Sequence, residues 1–353
     1  MADYGGNFID SLCSIETAAA TDNIPYESIF ILPDGRRDLD WIKNIQRNHK
    51  VYFISCKSKF SIAWDVYKIC RNEKVDIVHS HFFGCGELMF VGALTRIKTI
   101  YHKHSRYDKD SSRIKTAFKN FVQLASVDKF IACSKATMDS LVDGGFPKDK
   151  CTFVTNRIAF SRLDASSDSH PFDASKTNLL IFGTYFKIKG CDIALKALEA
   201  IAEKYNIALN IITHHSEQTR AEVKETLGYE PAWVNYTPTT ETIGDYYRNS
   251  QLLLMASRTE GFSYAVLEAL YCGCPVIKSD LESMVYGFDG EKTITVPLTV
   301  EALRAKIVEI LTMDAARRQA MTASFRRQVI EKYSISVWGA EILEKYQEIA
   351  PRM

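Results

Sequence analysis

The chain has 353 residues, 46% hydrophobic and 25% charged, which is ordinary for a globular protein and suggests about two domains at roughly 100–200 residues each. With 44 basic against 43 acidic residues the net charge is +1, so no global field recruits nucleic acid or a membrane. Nine cysteines, an odd number without paired CxxC motifs, fit a reducing compartment, and no apolar run reaches the ~18 residues of a membrane span. The N-terminus lacks the apolar core of a signal peptide, so a cytoplasmic protein is expected.

The chain opens with Met1–Ala20, a Gly5-Gly6 turn followed by a helical pattern. No strand precedes that turn, although a doubly wound sheet normally feeds it from its first, central strand. Either the true start lies upstream or the first core is weakened. Short apolar runs then predict strands at Ser28–Leu32, Lys50–Ser55, Ile77–His79, Thr99–Tyr101, Lys129–Ala132 and Thr152–Val154. Helix-length segments lie between them, including Ile42–His49, Trp64–Asn72, Ile114–Ala125 and Ala136–Gly144. Asp38-Leu39-Asp40 is a DxD tripeptide, but it precedes Trp41-Ile42 and is expected to cap a helix rather than hold a metal.

The stretch Asp164–Thr177 is polar and rich in Ser and Asp, which makes it the expected boundary. After it the pattern restarts, with strands at Asn178–Phe182, Ala208–Thr213, Leu252–Met255 and Pro275–Lys278 and helices at Asp192–Lys204 and Val300–Met313. Strands alternating with helices predict βαβ units and parallel sheets. The expected division is a first domain over 1–164, a linker over 165–177 and a second domain over 178–335. A final helix in 336–353 could return to brace the first domain.

Ser257–Asp280, SRTEGFSYAVLEALYCGCPVIKSD, carries the most chemistry. A buried strand, Leu252–Met255, leads into the loop Ser257–Gly261; Ser263 is the expected N-cap of a helix that Gly273 stops, and Pro275 opens the next strand. A helix N-terminus at the carboxyl edge of a parallel sheet offers free N–H groups to an anion. Glu260 in the loop and Glu268 in the helix can take hydrogen bonds from sugar hydroxyls. Together they describe a nucleotide-sugar site. His214-His215 are adjacent and lack a supporting carboxylate spacing, so no metal site is expected there or elsewhere.

This stretch resembles the retaining glycosyltransferase family 4, also called group 1, whose hallmark is two Glu residues with seven between them in an EGF–LEA–G–PV frame. The chain has Glu260-Gly261-Phe262, Leu267-Glu268-Ala269, Gly273 and Pro275-Val276. The resemblance implies the GT-B fold, two Rossmann-like doubly wound domains facing a cleft. It also implies that Glu260 lies by the transferred sugar, that Glu268 holds the ribose, and that Gly261, Phe262 and Ser263 share the donor site. A second match is Phe182–Gly190, where the family shows Gly-Arg followed by Lys-Gly. Gly183 and Lys189 match; Thr184 stands where the family has Arg, which removes a bidentate phosphate partner, and Lys187 is a candidate substitute. Val234–Thr239 resembles the loop that accepts the base, with Tyr236 a candidate contact.

The likeness is looser in the first half. Gly5-Gly6 resembles the family's turn near donor and acceptor, His79-Ser80-His81 its HxH segment, and Asn156-Arg157-Ile158 its Asn-Gly-Ile. The family's donor-sugar histidine maps to His104 first and His102 second. Lys103–Lys119 interleaves six cations with apolar residues, a candidate contact with an anionic membrane and so with a lipid-linked acceptor.

The expectation is therefore a metal-independent, retaining hexosyltransferase without a resident cofactor, using a UDP-sugar rather than a GDP-sugar. Its acceptor would be a glycan or lipid-linked glycan, as in bacterial capsule and exopolysaccharide synthesis. The alternatives are a nucleotide-sugar epimerase or hydrolase, and a catalytically impaired partner subunit of the same fold. No GxGxxG follows a strand, which excludes the usual dehydrogenase pattern.

Overall fold

The computed structural model describes residues 6–82, 85–107, 113–165, 171–238, 240 and 242–350. The chain divides into two compact units, Met1–Arg157 with Ile335–Met353, and Ile158–Ser334. Among the described residues, no helix is long and apolar enough to cross a membrane.

The first unit runs α1 (Gly6–Thr21), β1 (Ile29–Pro33), α2 (Asp40–Asn48), β2 (Lys50–Ile54), α3 (Lys59–Asn72), β3 (Ile77–His81), α4 (Met89–Leu94), β4 (Lys98–Lys103), α5 (Arg113–Ser126), β5 (Lys129–Ala132), α6 (Lys135–Asp143) and β6 (Cys151–Phe153). All strand pairs are parallel, as βαβ crossovers require. They form two sheets, β1-β2 and β3-β4-β5-β6, and none of the described residues supplies a strand joining them. One apolar cluster nevertheless spans both, with Ile31 and Ile54 from the small sheet and Val78 from the larger.

Local chemistry explains most boundaries. Ser58 and Ser61 form a capping box at the start of α3, and the Ser134 hydroxyl accepts from Thr137 N–H at the start of α6. The DxD tripeptide behaves otherwise than expected: the N-cap of α2 is Leu39, with no side-chain cap bond. Strands β3 and β4 both run two residues beyond the predicted apolar cores, because alternate residues, His79, His81 and His102, continue the strand conformation on one face.

The second unit holds α7 (Phe160–Asp164), β7 (Thr177–Phe182), α8 (Cys191–Glu199), β8 (Ile207–Ile212), α9 (Ser216–Leu227), β9 (Val234–Thr237), α10 (Ile243–Arg248), β10 (Leu252–Met255), α11 (Tyr264–Tyr271), β11 (Val276–Ser279), β12 (Thr295–Val296), α12 (Val300–Thr312) and α13 (Ala315–Lys332). Its single parallel sheet has the order β12-β11-β10-β7-β8-β9. From β7 the chain winds outward through β8 to β9, then crosses back to β10 and winds the other way. The β7/β10 junction is thus the topological switch point, where open α/β sheets leave a crevice at the carboxyl ends of the strands.

The unit boundary precedes α7, whereas the sequence pattern places it after. Short as it is, α7 is anchored in the second unit: the Leu163 carbonyl accepts from Arg248 Nη1 at 2.7 Å, and Phe160 stacks on Tyr271 at 4.5 Å. The last helix, α14 (Ile335–Ile349), lies in the first unit against α1. A Cβ at Gly339 would stand 2.3 Å from the Ser14 carbonyl oxygen, so only glycine allows that backbone approach. Arg157 and Glu341 add a bidentate ion pair at 2.7 and 2.8 Å.

Candidate active site

The loops leaving β7 and β10 are built as one piece. Arg258 N–H donates to the Ile188 carbonyl at 2.8 Å, and the Arg258 guanidinium grips Asp192 in the first turn of α8 at 2.8 and 2.9 Å. Gly190 has φ +69°, and a Cβ there would meet the Ala256 carbonyl oxygen at 1.8 Å. This close approach sets Lys189 opposite Glu260, with Lys189 Nζ 2.6 Å from Glu260 Oε1. The Ser257 hydroxyl, on a fully buried residue, donates to the same oxygen at 2.8 Å. A carboxylate and a cation therefore share the crevice, each with its orientation fixed.

Glu268 sits on α11, 6% exposed. Its Oε1 accepts from Arg162 of α7 and its Oε2 from the Tyr247 hydroxyl of α10 at 2.9 Å. Burial first, then the Glu268 carboxylate, push the Tyr247 phenol well up, so the hydroxyl remains a donor.

Other predicted residues fall less uniformly. Ser263 occupies the N-cap position of α11 but caps nothing with its side chain; it is buried, and its carbonyl accepts from the Tyr286 hydroxyl at 3.0 Å. Gly273 ends the helix at φ +78°, as read. Gly183 is required by packing, since a Cβ would lie 2.5 Å from Ile211 Cγ2. Lys187 reaches Asp192 at 3.6 Å, the carboxylate that Arg258 already grips, while Thr184 is half-buried beside it. Phe262 packs edge-on against Tyr264 and Tyr286. Tyr236 lies in β9 rather than in a loop; its ring packs on the core beneath Arg220 at 4.8 Å, and its buried hydroxyl has no partner.

Arg162, Tyr247, Ser257 and Arg258 were not legible as site residues. Arg162 and Glu268 stand 106 positions apart, and no spacing rule links them. Tyr185, 73% exposed at φ +60°, is a further site feature: a bulky side chain held in left-handed backbone within the Lys189 loop.

In the first unit, Gly6 opens α1 and Gly5 lies outside the described residues. Four histidines gather at the ends of β3 and β4. His79 Nε2 lies 3.2 Å from His102 Nδ1, His81 Nδ1 lies 3.1 Å from His104 Nε2, and His102 stacks on His104 at 4.5 Å. Phe8 of α1 packs edge-on against His81 and His104. Burial, reinforced by neighbouring imidazoles or Lys103, lowers all four; His79 and His104 fall to about 3, so the rings are neutral. Of the segment Lys103–Lys119, the structure describes part; Lys109 lies outside it.

This architecture and the second unit's loop constellation define a glycosyltransferase of the GT-B fold, and comparison with known proteins agrees. Residues 176–313 match the family model "Glycosyl transferases group 1", and residues 26–162 match "Glycosyltransferase Family 4". Both halves of the chain thus match glycosyltransferase family models. An uncharacterized glycosyltransferase of Haemophilus influenzae is 24% identical over 75% of this chain and 74% of its own length. The capsular polysaccharide biosynthesis glycosyltransferase CapH of Staphylococcus aureus is 21% identical over 66% of this chain and 67% of its own. Among solved structures, a Rickettsia africae glycosyltransferase superposes with TM-score 0.77 at 18% identity, over 96% of this chain and 94% of that one. Anabaena HepE in complex with UDP-glucose gives 0.74 at 14%, over 92% and 100%. These structural likenesses concern the fold.

Proposed function

We propose that this chain transfers a sugar from a nucleoside diphosphate sugar to a glycan or lipid-linked glycan, with retention at the anomeric carbon, in bacterial surface polysaccharide synthesis. The observation that carries the reading is the Lys189–Glu260 pair at the β7/β10 switch point, beside the N-terminus of α11. Departure of the diphosphate places negative charge where Lys189 and the positive end of the α11 dipole can meet it. Glu260 takes the sugar hydroxyls and Glu268 the ribose. Charge stabilisation and positioning supply the catalysis, with no strong enzymic base and no metal required.

UDP is the favoured donor nucleotide; HepE, which binds UDP-glucose, and CapH, named for capsular polysaccharide, support the donor and the pathway class. We place the protein in the cytoplasm, with peripheral contact to anionic lipid through Lys103–Lys119. Phe121, 70% exposed just past the middle of α5, supports this by offering an aromatic anchor next to that segment.

The test is product analysis by NMR with UDP-sugars and lipid-linked or free glycan acceptors. The reading expects product whose new linkage keeps the donor's anomeric configuration. Inverted product contradicts retention. Sugar release or epimerisation at the same rate with and without acceptor contradicts transfer.

A further inference from the structure

We propose that His79, His81 and His102 form a binding site for a divalent transition-metal ion of the zinc class, built from residues of the first unit. One ring nitrogen from each residue lies within 4.8 Å of those of the other two. The arrangement follows from the strands. In β3, His79 and His81 are two residues apart and share a face; in β4, His102 pairs in register with His81. Three imidazoles are thereby projected from two adjacent strands onto one face.

The geometry is close to that of a ligand set. His79 Nε2 and His102 Nδ1 stand 3.2 Å apart, near the about 3.3 Å that separates neighbouring ligands on a tetrahedral ion with bonds of about 2.0 Å. His81 Nε2 is buried without any hydrogen-bond partner, and His102, whose Nδ1 faces His79 Nε2, is fully buried. Buried unpartnered polar atoms are costly and call for a reason. Ligation gives one: an imidazole that donates its lone pair to an ion no longer needs that partner from the protein. The outer surroundings also fit. His79 Nδ1 lies 2.7 Å from the Tyr346 hydroxyl of α14, the kind of contact that fixes the tautomer and ring orientation of a ligating histidine.

The donor set decides the class of ion. It is imidazole alone, without carboxylate or thiolate, which suits Zn²⁺, Ni²⁺ or Cu²⁺ and disfavours Mg²⁺ and Ca²⁺. Three histidines leave a coordination position open, as in sites that accept a water or a further ligand. His104 stacks on His102 at 4.5 Å, so an ion here fixes the ring against which His104 rests.

The experiment is a titration of the purified, chelator-stripped full chain with Co²⁺, followed by its visible ligand-field absorption and by displacement with Zn²⁺. One equivalent with nitrogen-type bands, released by Zn²⁺, is expected. His102→Gln is expected to abolish the bands in a protein that still melts cooperatively. Tyr346→Phe, which spares all three ligands, is expected to weaken Co²⁺ binding by about 10–100-fold. If His102→Gln does not fold, Tyr346→Phe decides. No cobalt spectrum, or a spectrum unaltered in both variants, overturns the proposal; sulfur-to-cobalt charge-transfer bands do so too, by placing the ion on cysteine.

Discussion

Lys189 Nζ lies 2.6 Å from Glu260 Oε1, joining the loop after β7 to the loop after β10 across the switch point of the second unit. The two residues are 71 positions apart, and their meeting depends on glycine at 190, whose backbone lies against Ala256. One group is suited to a departing diphosphate and the other to the sugar being moved. Under the proposed reading, their contact ties leaving-group and sugar recognition together.

Lys189→Ala is expected to lower kcat by about 10²–10³-fold, the scale of losing one preorganised charge-stabilising group in a transition state. Lys189→Arg should recover part of it. A fall confined to KM, with kcat intact, would assign Lys189 to ground-state binding alone.

Tyr247→Phe removes only the hydroxyl that donates to Glu268. With a charged acceptor, the expected loss is about 1.5–3 kcal/mol of stability, together with weaker nucleotide binding. Arg162→Met leaves the buried carboxylate without its cation and should cost more, about 3–5 kcal/mol. Urea denaturation compares them; equal, near-zero losses would contradict the network.

Two glycines with similar backbone separate strain from collision. Gly190 and Gly273 both have φ in the left-handed region, +69° and +78°, but only Gly190 has a backbone oxygen where a Cβ would sit. Gly273→Ala should cost about 1–2 kcal/mol, the left-handed penalty alone. Gly190→Ala should exceed that by about 1–3 kcal/mol from overpacking and also lose activity, because the Lys189 loop must move. Matching denaturation midpoints would refute the close approach.

The histidine cluster makes the first unit acid-sensitive. Folding holds the His79 and His104 pKa at about 3, below the ordinary value near 6.5, so between those limits the unfolded chain binds more protons. Stability therefore rises with pH through this window and is complete above about pH 6.5. Glu87, pushed up by burial, acts in the opposite sense but is a single group. With a chelator present, stability should fall as the pH is lowered from about 6.5 toward 3. Thermal melts should show it, and His79→Gln should flatten the profile.

Much of this was legible in the sequence because its signals are local. Apolar runs such as Leu252–Met255 and Lys129–Ala132 appear as strands at their predicted bounds, and Gly273 ends α11 as its position suggested. The Glu260–Glu268 frame falls on the loop after β10 and on α11, the elements read for it. What escaped was set by tertiary contact. Arg162 and Tyr247 reach Glu268 from other helices, and Leu163 anchors α7 in the second unit although the polar composition changes only after it. Ser263 has the chemistry of an N-cap, yet burial turns it to other use. Tyr236 was assigned to a loop because a four-residue strand carries too little periodicity to be recognised alone.

The most direct test is calorimetric binding of UDP, GDP, ADP and CMP to the purified chain beside Glu268→Gln. UDP is predicted to bind in preference to the others, and the substitution to weaken that binding while the protein still melts cooperatively. No nucleotide binding to a cooperatively folded chain would contradict the donor site and favour a partner subunit that keeps the fold without turnover.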